Sequence, residues 1–165
     1  MSFDQETLAH VIATQGQVAR VVIAAASGSS PREVGASMLV WESGQLGSIG
    51  GGALEFETAN QARDMLAAGT EDRLDKLSLG PSLGQCCGGA VTLLTEIWTE
   101  ERLAHHGNAE ARPLPGEATA LPRKVNACLQ AAKSGFMPLC TQVLDGWIIE
   151  PQAKPDHTLW LWGAG

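Results

Sequence analysis

Tyrosine is absent from these 165 residues and only three Phe are present, so the core has to be built largely from aliphatic side chains. Cysteine is scarce too, at four. Cys86 and Cys87 are adjacent, Cys128 and Cys140 stand apart, and no C-x-x-C pair occurs. That excludes a zinc ribbon, a thioredoxin-type redox motif and a disulfide scaffold, and a reducing compartment fits best. Positive charge is in short supply, 11 basic residues against 18 acidic, for a formal charge of −7. This balance argues against broad binding to nucleic acid or to an anionic membrane surface. No apolar run approaches the ~20 residues of a membrane span, and the opening MSFDQETLAH has no basic start before an apolar stretch. The expectation is a cytoplasmic protein that engages neither nucleic acid nor membrane.

What is abundant is glycine, at 19 residues, which points to a fold rich in tight loops. With 44% hydrophobic and 18% charged residues the chain can also bury a real core. Residues 2–16 read as a helix with Ser2 and Gln5 at capping-box spacing, an apolar stripe of Leu8, Val11 and Ile12, and Gly16 as its stop. Residues 18–26 (VARVVIAAA) are nearly continuous apolar and β-branched residues, the pattern of a strand buried on both faces. Further strands are expected at 37–41, at a short segment ending at Ile49 and at 90–98, with a helix over 53–68 and a weakly alternating segment at 73–79. Residues 100–120 show no periodicity and read as a connection. A helix with the stripe Val125, Cys128, Leu129 and Ala132 follows, then a hairpin turning at Asp145-Gly146. The segment 158–162 is a last apolar strand, ahead of Gly163-Ala164-Gly165. A buried strand feeding G-x-G is how a Rossmann fold enters its phosphate-binding turn, so the chain reads as stopping at that turn.

The organisation expected is therefore α/β: a mixed-sheet N-terminal domain over 1–100, a linker over 101–120, and over 121–165 the helix, hairpin and first strand of an incomplete Rossmann-like domain. Cys128 and Cys140 read as core residues, one on a helix stripe and one in a strand. His10, His105, His106 and His157 have no ligand spacing and read as surface residues.

Three glycine-bearing loops adjoin strands. The first, 27–32 (SGSSPR), offers the hydroxyls of Ser27, Ser29 and Ser30 with the guanidinium of Arg32, a set suited to an oxyanion; alone it is equally a serine–proline turn. In the second, the N–H groups of Gly50, Gly51 and Gly52 precede a helix and could cradle an anion, or simply turn the chain. Glu55 falls on that helix's inward face and needs a partner: the helix N-terminus or Arg32, bracing the loops rather than acting as a base. The third loop holds Gln85, Cys86, Cys87, Gly88 and Gly89. Adjacent cysteines on extended backbone point to opposite faces, so one thiol could face a soft metal while the other packs inward; two buried thiols are the alternative.

The runs GSSPREVGASM (28–38), GSIGGGALE (47–55) and LGQCCGG (83–89), in that order, resemble the XdhC/CoxI family of xanthine dehydrogenase accessory proteins, and LWGAG (161–165) looks like the entry to its Rossmann domain. The resemblance implies a chaperone that binds the molybdenum cofactor, protects this molybdopterin while its sulfur ligand is installed, and hands it to apo xanthine dehydrogenase or a related molybdenum hydroxylase, with a cysteine desulfurase as second partner. It implies binding by Ser29, Ser30, Arg32, Gly50, Gly51, Gly52, Glu55, Gln85, Cys86, Cys87 and Gly88, with Cys86 or Cys87 as the molybdenum ligand. A homodimer is expected from the strand edges left to cover. Two other readings stand beside it: a fragment of a nicotinamide-dependent oxidoreductase, suggested by Gly163-x-Gly165, and a structural or dimerisation module without ligand.

Overall fold

The computed structural model describes residues 3–80, 88–106 and 109–152. Helix α1 (Gln5–Gln15) leads into β1 (Gln17–Ser27), β2 (Ser37–Trp41), β3 (Gly44–Gly47), helix α2 (Gly52–Ala68), β4 (Arg73–Ser78) and β5 (Ala90–Thr99). These strands form one sheet in the order β3-β2-β1-β5-β4, and each neighbouring pair is antiparallel. Helix α3 (Glu100–His106), β6 (Ala111–Pro113), helix α4 (Arg123–Lys133), β7 (Gln142–Leu144) and β8 (Trp147–Ile149) follow, with a second antiparallel sheet ordered β6-β8-β7. The α/β class is as read from the sequence. Among the described residues the parallel pairings are two isolated bridges, Phe3 with Gln152 and Ser29 with Gly88, so the N-terminal sheet expected to be mixed is antiparallel.

Strand β1 is the spine, and its composition follows from being covered on both faces. Ala19, Val21 and Ile23 point to α2, where Leu54, Ala59, Ala62 and Leu66 meet Met38, Val40, Val91 and Leu93. Its even residues point the other way. Val18 packs with α1 through Leu8, Val11 and Ile12, and Val22 and Ala24 pack with Leu94, Leu114 and Ile148. The second sheet thus closes the face of the first that α2 leaves open.

Several local expectations are refined. Asp4, not Ser2, caps α1: its carboxylate accepts from the Thr7 backbone N–H at 3.0 Å, because a helix starting at Gln5 puts Asp4 in the capping position. Ser2 lies outside the described residues. Residues 100–106 are helical and 111–113 form a strand where no periodicity was visible, since a three-residue strand and a seven-residue helix are too short to show one. The Asp145-Gly146 turn forms as expected, with φ of +46° and +76°. Cys128 is half-buried on α4, but Cys140 is exposed and precedes β7, because that strand begins only at Gln142. His10, His105 and His106 are exposed. The expected strand at 158–162, the ending 163–165 and His157 lie outside the described residues, as do Gln85, Cys86 and Cys87.

Candidate functional site

Segment 27–32 leaves the end of β1 and touches both of the other glycine loops. Its first half lies on Gly88-Gly89. A Cβ on Gly28 would stand 3.2 Å from Gly89 Cα, and one on Gly89 would stand 2.6 Å from the Ser27 carbonyl oxygen and closer still to that of Ser29. The Ser29–Gly88 bridge marks the same contact. Its second half lies on the glycine triplet. A Cβ on Gly50 would meet the Pro31 ring at 2.5 and 2.8 Å, and the Arg32 Cγ at 3.6 Å. Glycine is needed at 89 because a second backbone shares that space, and at 50 because the Pro31 ring fills it and φ is +128°. The expected site residues on the described chain are therefore neighbours, at the end of the sheet where β1 finishes and β5 begins.

Arg32 is two-thirds buried and its guanidinium chelates the neighbouring Glu33 carboxylate at 3.1 and 3.3 Å. The hydrogen bond and charge of Glu33 raise the Arg32 pKa, and the same contact lowers that of Glu33. Ser30 turns its hydroxyl inward, donating to the Arg32 carbonyl at 2.7 Å, whereas Ser29 is exposed. Of the two partners open to Glu55, the helix end is the one it takes. Its Oε2 accepts from Ser48 Oγ at 2.6 Å and from the N–H groups of Ile49 and Gly51 at 3.0 Å each, and its Oε1 accepts from Gln45 Nε2 at 3.1 Å. Burial pushes the Glu55 carboxyl up, but the Ser48 hydroxyl and the backbone N–H groups of Gly51, Ile49 and Gly50 outweigh it and hold it below the ordinary range. A carboxylate so fully occupied stays ionised and braces the loop.

This changes what the triplet can offer an outside anion. The Gly50 N–H donates to Ser48 Oγ at 3.1 Å and that of Gly51 to Glu55, so two of the three donors are already engaged. The space is nonetheless open: a Cβ on Gly51, Gly52 or Gly88 would meet nothing within 4 Å. Ser29 adjoins Gly88 and Arg32 adjoins Gly50, so a ligand at segment 27–32 could lie directly on backbone. Beside it, a cavity of about 430 Å³ is lined by Ser27, Lys76, Ser78, Ala90 and Thr92. The Arg32 guanidinium, the exposed Ser29 hydroxyl and the bare peptide edges suit a phosphate or another oxyanion. Among the described residues no group of three or more His, Cys, Asp and Glu could hold a metal ion, and no helix is long and apolar enough to cross a membrane.

A second polar assembly was not anticipated. Arg20, Glu96, Arg112 and Glu150 are buried together where the two sheets meet. Arg20 binds Glu150 at 2.7 and 3.0 Å and Glu96 at 3.2 Å; Arg112 binds Glu96 at 2.9 and 3.1 Å and also contacts Glu150. Arg102, bidentate to Asp72 at 2.7 Å, extends the chain of charges to the surface. Phe3 lies against Arg20 and Arg112, and Trp98 against Arg102 and Arg112. The signal for it was a charge inside each of two apolar strands, Arg20 in β1 and Glu96 in β5, where an unpaired charge is untenable. A cavity of about 520 Å³ beside this assembly, lined by Asp72, Thr99, Arg102 and Arg112, sits at the far end of β5 from the glycine loops.

The XdhC and CoxI family model matches residues 8–75, from within α1 to β4, a span that includes the first two glycine loops. The loop at 83–89 lies beyond the matched span. A crystal structure of a xanthine dehydrogenase from Bacillus halodurans is similar to this chain with a TM-score of 0.55 and 28% identity, over 64% of this chain and 33% of that one. The chain thus spans about a third of the length of that relative. No curated protein matches it. The resemblance carried by GSSPREVGASM and GSIGGGALE is accordingly to the XdhC and CoxI family, over residues 8–75.

Proposed function

We propose that this chain is an accessory protein of xanthine dehydrogenase maturation, a carrier of the molybdenum cofactor without turnover of its own. It would hold the cofactor while the terminal sulfur is installed by a cysteine desulfurase, then pass it to apo xanthine dehydrogenase or a related molybdenum hydroxylase in the cytoplasm. The observation that carries this reading is the meeting of segment 27–32 with Gly50 and with Gly88-Gly89. Segment 27–32, with one arginine on it, thus links two glycine sites distant in sequence.

The residues fit the group at its phosphate. Ser29 and Arg32 donate to the oxyanion, and Gly51, Gly52 and Gly88 keep the approach clear of side chains. Glu55 does not touch the ligand in this reading but keeps the triplet in shape through Ser48, Ile49 and Gly51. In this reading Gln85 and one of Cys86 and Cys87 also bind the cofactor, the thiolate serving as a soft ligand. When bound, the cofactor supplies the sulfur-ligated molybdenum that the receiving enzyme uses. The family match and the similarity to a protein named xanthine dehydrogenase support this target, and a homodimer is the expected assembly.

The test is retention of freshly released molybdenum cofactor. After mixing and desalting, bound pterin is measured by the fluorescence of its oxidised form on the chain and on Arg32→Ala, Cys86→Ser and Cys87→Ser variants. Near-stoichiometric pterin, lost with Arg32 or with one cysteine, is the expected result. No pterin on this chain or on one extended through a complete Rossmann domain overturns the carrier reading in favour of a module without ligand.

A further inference from the structure

Helix α4 and the approach to β7 bring together two thiols that the glycine-loop site does not use. Cys128 packs with Leu129, Leu139 and Leu144 against the small core of Val125, Trp147 and Ile149. Cys140 is exposed, two residues ahead of β7. The side-chain amide of Gln142 sits between them, its Nε2 3.8 Å from the Cys128 Sγ and 3.6 Å from the Cys140 Sγ. Two sulfurs that share one small neighbour are no more than about 7 Å apart, so rotation of the Cys side chains and a small backbone shift bring them to bonding distance. The backbone can give, because residues 134–141 belong to no helix or strand. The start of that segment is anchored by the Ser134, Gly135 and Phe136 N–H groups, which donate to the carbonyls of Gln130, Ala132 and Ala131.

We propose that Cys128 and Cys140 form a dithiol that closes reversibly to a disulfide by exchange with a low-molecular-weight disulfide such as oxidised glutathione. The exposed Cys140 thiolate attacks the reagent's S–S bond, forming a mixed disulfide and releasing one thiol. The Cys128 thiolate then attacks Cys140 Sγ and expels the second thiol. Two protein thiols are oxidised, the reagent's disulfide is reduced to two thiols, and both cysteine protons pass to the released thiolates or to solvent. Gln142 swings aside as the sulfurs meet. The bond pins residues 134–141, with the exposed side chains of Phe136 and Met137, onto α4. The exposed apolar segment, anchored at its start by backbone hydrogen bonds, gains a second tie to α4 in the oxidised chain.

The experiment incubates the reduced full chain with excess oxidised glutathione, then digests it with trypsin without reduction. Lys133 lies between the two cysteines, so an internal bond joins two tryptic peptides that otherwise separate. Wild type and a Cys86→Ser/Cys87→Ser double variant should both give the 128–140 cross-link in monomeric protein, and dithiothreitol should release it. Cys140→Ser, a change at an exposed position, should abolish the cross-link and leave Cys128 as a free thiol. The proposal is overturned if Cys128 and Cys140 end as separate glutathione adducts, stay free, or link only between molecules.

Discussion

Pro31 rests on the bare backbone of Gly50: a Cβ there would stand 2.5 Å from the Pro31 Cβ, and the glycine's φ is +128°. Contact and dihedral both demand glycine, and the proline ring has no flexible end that could move away. Gly50→Ala should therefore cost about 1–3 kcal/mol in urea unfolding. Gly51→Ala, with φ of +73° but nothing within 4 Å, should cost only the dihedral strain, about 1 kcal/mol. Equal effects at the two positions would mean that segment 27–32 is not seated on the triplet.

Glu55 takes the place an external anion would occupy at the start of α2. Glu55→Ala orphans the Ser48 hydroxyl and the N–H groups of Ile49 and Gly51 together and should cost about 1–3 kcal/mol. Its folded pKa lies below the ordinary value of 4.5, so its contribution is complete above that value and is lost as pH falls through the lower folded one. The gap in urea midpoint between wild type and variant should close on acidification. A gap that widened would contradict the assigned role.

The buried charges make a stronger case for acid sensitivity. Burial pushes the Glu96 carboxyl up, but the charges of Arg112 and Arg20 dominate and bring it down to about 2; Glu150 is lowered by the same two arginines. Both groups bind protons more readily in the unfolded chain, so stability falls as pH drops from about 4.5 toward 2. Glu150→Ala leaves Arg20 and Arg112 short of an acceptor in a dry site and should cost about 3–5 kcal/mol at neutral pH. Circular dichroism against pH, with and without the substitution, checks both statements.

Arg32 separates binding from folding. Among the described residues it pairs with its neighbour Glu33, at a partly exposed position where such pairs contribute little. Arg32→Ala should leave the urea midpoint where it was and remove retained pterin. A large loss of stability would make Arg32 a structural residue and withdraw it from the proposed site.

Much of the fold was legible because it is written in short-range patterns. The nearly unbroken apolar run of β1 announced a strand covered on both faces, and the weak alternation in 73–79 hinted at β4, whose place at the sheet edge only the structure shows. Asp145-Gly146 specified its hairpin through the positive φ both residues adopt. Cys140 was misread because Met137, Leu139 and Cys140 look like the start of a strand, yet this apolar stretch stays outside β7 and Cys140 faces solvent. The buried quartet left only a hint: Arg20 and Glu96 were visibly out of place in apolar strands, but nothing local names their partners.

Sequence alone determined most of the longer strands and helices, where glycine interrupts them, and that Glu55 needed a partner close by. Those are properties of periodicity and of single residues, and they act over a few positions. Only the tertiary structure decided that the three glycine loops share one end of a sheet, and that Arg20 meets Glu150 across 130 positions of chain. Such contacts depend on strand order and on which face each strand buries. An arginine's charge says that it must be paired, but only the path of the backbone says with what.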